Sequence, residues 1–254
     1  MRTSQGIRIK NANEVDILRK AGKILSSIVV QLQSSLTSGM STKDIDLKAE
    51  DLIRQNKVVS AFKGYRGFPG VTCVSVNECV VHGIPGKRII KDGDIVSLDI
   101  GIIYENYYSD TAVTVPIGKV SPEIGRLLDV TQSSLSRGIE QARAGNRLSD
   151  ISFAVQSFVE MHGFSVVRDF VGHGIGRALH EEPEIPNYGR PGQGPLLAEG
   201  MVFAIEPMVN MGTHHTKILS DGWTVVTEDS MPSAHFEHTI VITSKGPEIL
   251  TKFE

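Results

Sequence analysis

The chain has 254 residues, of which 40% are hydrophobic and 22% charged, and its formal net charge is -3. That length can bury a large core, as one sizeable domain or as two fused halves. The charge balance offers no basic field for nucleic acid, and no run approaches the roughly 18 apolar residues of a membrane span.

The first ten residues, "MRTSQGIRIK", lack the apolar core of a secretory signal. A helix is predicted next, from about Glu14 to Leu36, because Ile17, Leu18, Ala21, Ile24, Leu25, Ile28, Val29 and Leu32 recur at helical spacing. Ser41 with Asp44 resembles a capping box and opens a second helix. Strands are expected through "TCVSVNECVVHGIP", where Cys73 and Cys79 stand six apart without Cys-x-x-Cys spacing. That spacing favours reduced thiols, as in a cytoplasmic protein. "DIVSLDIGIIYENYYSDTAVTV", Asp94 to Val115, reads as a β-hairpin. A tight turn centred on Tyr104 and Glu105 would set Asp99 directly opposite Asp110.

The second half follows the same plan. Ser121 is an N-cap with Pro122 in the first turn of a third helix, and "AGNRLSDISFAVQSFVEMHG" follows. A shift of 106 places Gly39 on Gly145, Asp44-Ile45 on Asp150-Ile151 and Leu52 on Phe158. A shift of 107 lays "DGDIVSLD" over "EGMVFAIE", so that Asp99 follows Gly93 as Glu206 follows Gly200. The reading is one domain over residues 1–254, built from repeats at roughly 12–117 and 118–250. Shared capping and turn chemistry without duplication is the alternative.

Four carboxylates then stand in apolar, strand-like runs: Asp99, Asp110, Glu206 and Glu237. Any one of them could simply face water. If all four converge, desolvation and mutual repulsion become severe. Two divalent cations would balance the four negative charges. His173, framed by Gly172, Gly174 and Gly176, offers one imidazole where the backbone can approach closely. Oxygen-rich ligation with a single nitrogen suits manganese, iron(II) or cobalt, and the predicted chemistry is metal-assisted hydrolysis.

These residues and the words around them resemble a known family. "NEVDILRKAG", "STKDID", "NECVVHGIP", "LDIG", "SDTA", "GHGIGRALHEEP", "EPM" and "EHT" are similar to the type I methionine aminopeptidases, which are pita-bread metallopeptidases of family M24. The likeness covers nearly the whole chain. The first helix lies close to the start, so the short bacterial form, without an N-terminal zinc-binding extension, is expected. The resemblance implies an α+β pita-bread fold, with two pseudo-symmetric αβ halves sharing a curved antiparallel sheet and helices on its outer face.

It also implies roles. Asp99 would chelate one ion, Asp110 and Glu237 would bridge two, and His173 and Glu206 would complete the set. Zinc or nickel would remain possible beside manganese, iron(II) and cobalt. Glu206 would carry a proton from the attacking water to the leaving amine. His82 and His180 would be the catalytic histidines, at the scissile amide nitrogen and the carbonyl oxygen. Phe62, Tyr65, Phe68, Cys73, Leu179 and Trp223 would line a pocket for a methionine side chain. Phe62 departs from a cysteine often found at its position, and Leu179 from an aromatic. The implied substrate is the N-terminus of a newly made polypeptide with a small second residue. The protein would act as a cytoplasmic monomer with no nucleic-acid or membrane partner, and contact with the ribosome surface is left open. An aminopeptidase or dipeptidase acting before proline, and a binding module that has lost catalysis, are the rival readings.

Overall fold

The structure is a computed structural model and describes residue 3 and residues 6–253. The first half runs α1 (Ala12–Ser34), α2 (Thr42–Gln55), β1 (Val59–Ser60), β2 (Thr72–Val76), β3 (Cys79–Val81), β4 (Ile95–Tyr104) and β5 (Tyr107–Pro116). The second begins with α3 (Pro122–Gln141), α4 (Leu148–Met161), β6 (Ser165–Val166), β7 (Gly172–Gly174), β8 (Glu181–Ile185), β9 (Val202–Ile205) and β10 (Met208–Asn210). It ends with β11 (Thr216–Ile218), β12 (Val225–Thr227), β13 (Ser233–His235), β14 (His238–Thr243) and β15 (Gly246–Ile249). Among the described residues no helix is long and apolar enough to cross a membrane.

Local chemistry sets the helix ends. Asn11 accepts from the Glu14 N–H while the Glu14 carboxylate accepts from the Asn11 N–H, so α1 starts two residues before the predicted Glu14. Ser41 and Asp44 form the predicted box at α2, and Ser121 accepts from the Ile124 N–H at α3. Asp150 accepts from the Arg147 N–H at 2.7 Å and so caps α4. Helices α2 and α4 have 14 residues each and occupy positions that the 106-residue shift pairs. Gly39 and Gly145, before them, share a φ of +95°, a left-handed conformation that glycine adopts without strain.

The hairpin β4–β5 exists, but its register differs from the sequence-based expectation. Tyr104 pairs with Tyr107, so Asp99 faces Ala112 and Asp110 faces Gly101. The turn is Glu105-Asn106, with φ of +47° and +61°, the doubly left-handed geometry that matches strand twist in two-residue hairpins. Asn106 accepts this conformation more readily than Tyr104 could. Asp99 and Asp110 are therefore diagonal neighbours on one face, roughly 7–8 Å apart at Cα rather than directly opposed.

That face is the polar one. Cys73 pairs with Asp99 from the other side, in β2. The opposite face, with Val74, Val76, Leu98, Ile100, Ile102 and Val113, joins Leu25, Ile28, Val29 and Leu32 of α1 in the main apolar core. Burial of such side chains stabilises by about 1.5–3 kcal/mol each. The strands pair antiparallel throughout, as sheets β1-β4-β2 with β5 on β4, β13-β10-β6, β11-β12-β3 and β15-β14-β9-β7-β8. The halves meet where β5 runs beside β13 and β14. Glu237 N–H donates to Ala112 O at 2.9 Å, the Thr111 hydroxyl to Glu237 O at 2.6 Å, and the Thr239 hydroxyl to Asp110 O at 2.7 Å. This seam sets Asp110 and Glu237 side by side.

Candidate active site

The five residues singled out as ligands converge. Asp99 and Asp110 come from β4 and β5, Glu237 from the break between β13 and β14, and Glu206 from the residue that follows β9, before Pro207. His173 is the centre of β7. Its flanking glycines are required by packing. A Cβ on Gly172 would lie 2.5 Å from Ala204 O, and one on Gly174 2.2 Å from Glu182 O. Ligand atoms of Asp110, His173 and Glu237 all lie within 4.8 Å of one another, and all three residues are buried. His173 Nε2 is 3.5 Å from Glu206 Oε1. The His173 Nδ1–H donates to Gly174 O at 2.9 Å, because a carbonyl can only accept. That leaves the Nε2 lone pair facing the carboxylates.

The electrostatics of this cluster are unusual for carboxylates. Burial, with neighbouring carboxylates adding to it, raises Asp99, Glu206 and Glu237 well above the ordinary carboxylate range. Burial also lifts Asp110 to about 7 and lowers His173 to about 3, which keeps its ring neutral. Asp99 Oδ1 and Glu237 Oε1 are buried with no hydrogen-bond donor. Buried oxygens normally have partners, and an unpartnered one costs about 1–3 kcal/mol. Carboxyl oxygens gathered around a neutral imidazole, two of them without a donor, match the donor set of a divalent metal centre. The residues fit such a group.

A cavity of about 410 Å³ opens from this cluster. Its wall includes Phe62, Tyr65, Phe68, Cys73, Leu179 and Trp223, together with His82 and His180. Every site residue named from the sequence therefore lines one space. Phe68 and Trp223 meet edge to face at 5.1 Å. Phe62 fills the place of the missing Gly101 side chain, its Cε1 2.7 Å from where a Cβ would stand. His82 follows β3 in a left-handed conformation, φ +58°, and packs edge-on against Phe170 and Trp223 at 5.5 and 6.1 Å. Non-glycine residues held in this way cluster at functional sites. His180 Nδ1 is 2.8 Å from the Tyr65 hydroxyl, and its ring is 4.3 Å from that of His173.

The cavity also holds residues that the sequence reading did not single out, among them Arg66, Asp169, Phe170, Met208 and His235. His235 is 2% exposed, and its Nε2 lies 3.6 Å from Glu206 Oε2. Its one sequence signal is its place two residues before Glu237, a spacing that puts strand side chains on the same face.

Residues 16–244 match the metallopeptidase family M24. A methionine aminopeptidase of Clostridium perfringens is 53% identical over 245 residues, covering 96% of this chain and 98% of that protein. Methionine aminopeptidase 1 of Bacillus subtilis is 51% identical over 243 residues, with the same coverage of 96% and 98%. The crystal structure of a methionine aminopeptidase from Thermotoga maritima superposes with a TM-score of 0.95 at 46% identity, covering 97% of this chain and 99% of that one.

Proposed function

The chain belongs to metallopeptidase family M24, and we propose that it removes N-terminal methionine from newly made polypeptides whose second residue is small. The fold is the pita-bread fold, α+β, and we take its two halves as one catalytic domain. The observation that carries the reading is the joining, in one cavity, of a carboxylate and imidazole cluster with an aromatic and sulfur-lined pocket.

Asp99, Asp110, His173, Glu206 and Glu237 would hold two divalent ions, with Asp110 and Glu237 shared between them. Manganese, iron(II) and cobalt suit this donor set, and zinc or nickel also accept it. Such ions, when bound, polarise a carbonyl and lower the pKa of water. The chain's own groups supply the rest. Glu206 receives the proton of the attacking water on a carboxylate oxygen and returns it to the leaving amine nitrogen. The Tyr65 hydroxyl lies 2.8 Å from His180 Nδ1, and if it donates there the ring carries its hydrogen on Nε2. In that tautomer His180, which lines the cavity, would donate Nε2–H to the developing oxyanion. His82 contacts the scissile amide nitrogen.

Specificity follows from the pocket. Phe62, Phe68 and Trp223 offer ring faces and edges to a thioether, and Tyr65, Cys73 and Leu179 complete a slot without room for branching. Leu179 and Phe62 keep the lining apolar. We place the reaction in the cytoplasm, on emerging chains, with the protein as a monomer.

The test is hydrolysis of Met-Ala-Ser against Ala-Pro-Ala by protein stripped with chelator and then supplied with manganese or cobalt. Metal-restored release of methionine alone supports the proposal. Cleavage before proline would keep the metal site and replace the substrate. Inactivity on both with metal bound would favour the binding module.

A further inference from the structure

His235 is a buried imidazole outside the five-residue ligand set. Its Nε2 has no hydrogen-bond partner, although the residue is 2% exposed. That nitrogen lies 3.6 Å from Glu206 Oε2, while His173 Nε2 lies 3.5 Å from Glu206 Oε1. Glu206 is thus flanked by two imidazoles, one at each oxygen. The two rings differ in kind. His173 gives its Nδ1 hydrogen to Gly174 O and presents a lone pair.

The backbone of His235 is fixed on the seam between the halves. Its N–H donates to Thr114 Oγ1 at 2.9 Å, and its carbonyl accepts from the same hydroxyl at 2.8 Å. Thr114 in turn contacts Ser97 Oγ at 2.8 Å, and β13 pairs His235 with Met208 of β10. The backbone that carries the imidazole is therefore held in place beside Glu206. An N–H pointed at a carboxylate would hold it in one rotamer.

We propose that His235 is the positioning residue for Glu206, with Nε2–H aimed at Oε2 so that the other oxygen stays turned towards His173. This inference deepens the metal-dependent reading and rests on it. The alternatives are that the Nε2 lone pair ligates metal directly, or that the ring only fills space.

Three variants separate these roles. His235→Gln places an amide N–H near the Nε2 position, His235→Asn withdraws it by one methylene, and His235→Met keeps bulk without a donor. Each chelator-stripped protein is titrated with manganese by calorimetry, assayed for kcat and KM on Met-Ala-Ser, and unfolded thermally. The glutamine variant should stay within about threefold of the original protein in manganese affinity and kcat. The asparagine and methionine variants should lose about 10- to 100-fold in manganese affinity, as loss of a ligand's hydrogen-bond partner typically does. Their kcat should fall while KM stays within about threefold. If the glutamine variant loses affinity as fully as the methionine one, His235 is a ligand and the proposal fails. If the methionine variant binds and turns over like the original protein, with only its unfolding temperature changed, the ring is packing and the proposal fails. Should the methionine variant not fold, the contrast between glutamine and asparagine decides. Failure of the unsubstituted protein to bind manganese would overturn the metal reading, and this inference with it.

Discussion

Glu181 follows His180 directly, and its carboxylate holds the loop that carries Leu179 and His180. Oε1 accepts from the Arg177 and Ala178 N–H groups at 2.7 and 3.3 Å, and Oε2 accepts from Lys10 Nζ at 2.9 Å. The Lys10 and Glu181 side chains are 4% and 6% exposed. Burial lowers the Lys10 pKa below its ordinary 10.5, outweighing the charge and hydrogen bond of Glu181. Glu181→Gln keeps the shape but leaves a buried ammonium facing an amide, and removing one partner of a buried pair costs about 3–5 kcal/mol. Proton loss from Lys10 sets a ceiling on that penalty. From 10.5, at 1.36 kcal/mol per unit, the ceiling is about 4.8 kcal/mol at pH 7 and about 1.4 kcal/mol at pH 9.5. In the variant the Lys10 pKa falls further, so the unfolded chain binds more protons than the folded one and stability rises with pH. The original protein shares this trend more weakly, so the deficit shrinks as pH rises. Urea denaturation at both pH values should give a deficit of about 3–4.8 kcal/mol at pH 7, falling towards about 1.4 kcal/mol at pH 9.5. Thermal midpoints should drop by about 6–19 °C at pH 7. A deficit that ignores pH, or one below about 1 kcal/mol at pH 7, would mean that Glu181 does not hold Lys10 as a buried ion pair.

Glu206→Ala should lower methionine release by at least about 10²-fold, as loss of a general base does, with the thermal midpoint nearly unchanged. Near-original turnover would remove Glu206 from the mechanism. His180→Ala should lower kcat by about 10²–10³-fold and change KM little, because an oxyanion donor acts in the transition state. An effect confined to KM would contradict that role. In Gly174→Ala the added Cβ would lie 2.2 Å from Glu182 O. It should push β7 from β8, destabilise by about 1–3 kcal/mol and weaken manganese binding through His173. Unchanged unfolding and calorimetric profiles would show that the strands can part without moving the ligand.

The features most legible in the sequence were those with local chemistry. The caps Ser41, Asp44, Ser121 and Pro122 placed their helices because a cap is written within four residues. Asn11 was overlooked, although Glu14 three positions on completes its box. The hairpin was visible from its β-rich runs, but its register depended on which pair adopts positive φ. Reading the turn one residue early opposed Asp99 to Asp110. The four carboxylates were legible because charge in an apolar strand is anomalous, and their convergence is what the fold displays. His235 carried no such anomaly, since an imidazole is ordinary in a half-buried strand. Lys10 was invisible for another reason: its partner lies 171 residues away, and nothing in either local stretch announces the pair.

Everything proposed for the site depends on Asp99, Asp110, His173, Glu206 and Glu237 forming a divalent metal centre. Its most direct test is calorimetric titration of manganese into chelator-stripped protein, beside the double variant Asp99→Asn/Asp110→Asn. Binding should saturate at two ions per chain in the original protein and be abolished in the variant. The metal-free variant should unfold no earlier than the metal-free original, because two acids whose ionisation is opposed by burial have been replaced by neutral amides. No binding by the original protein, or equal binding by the double variant, would contradict such a centre.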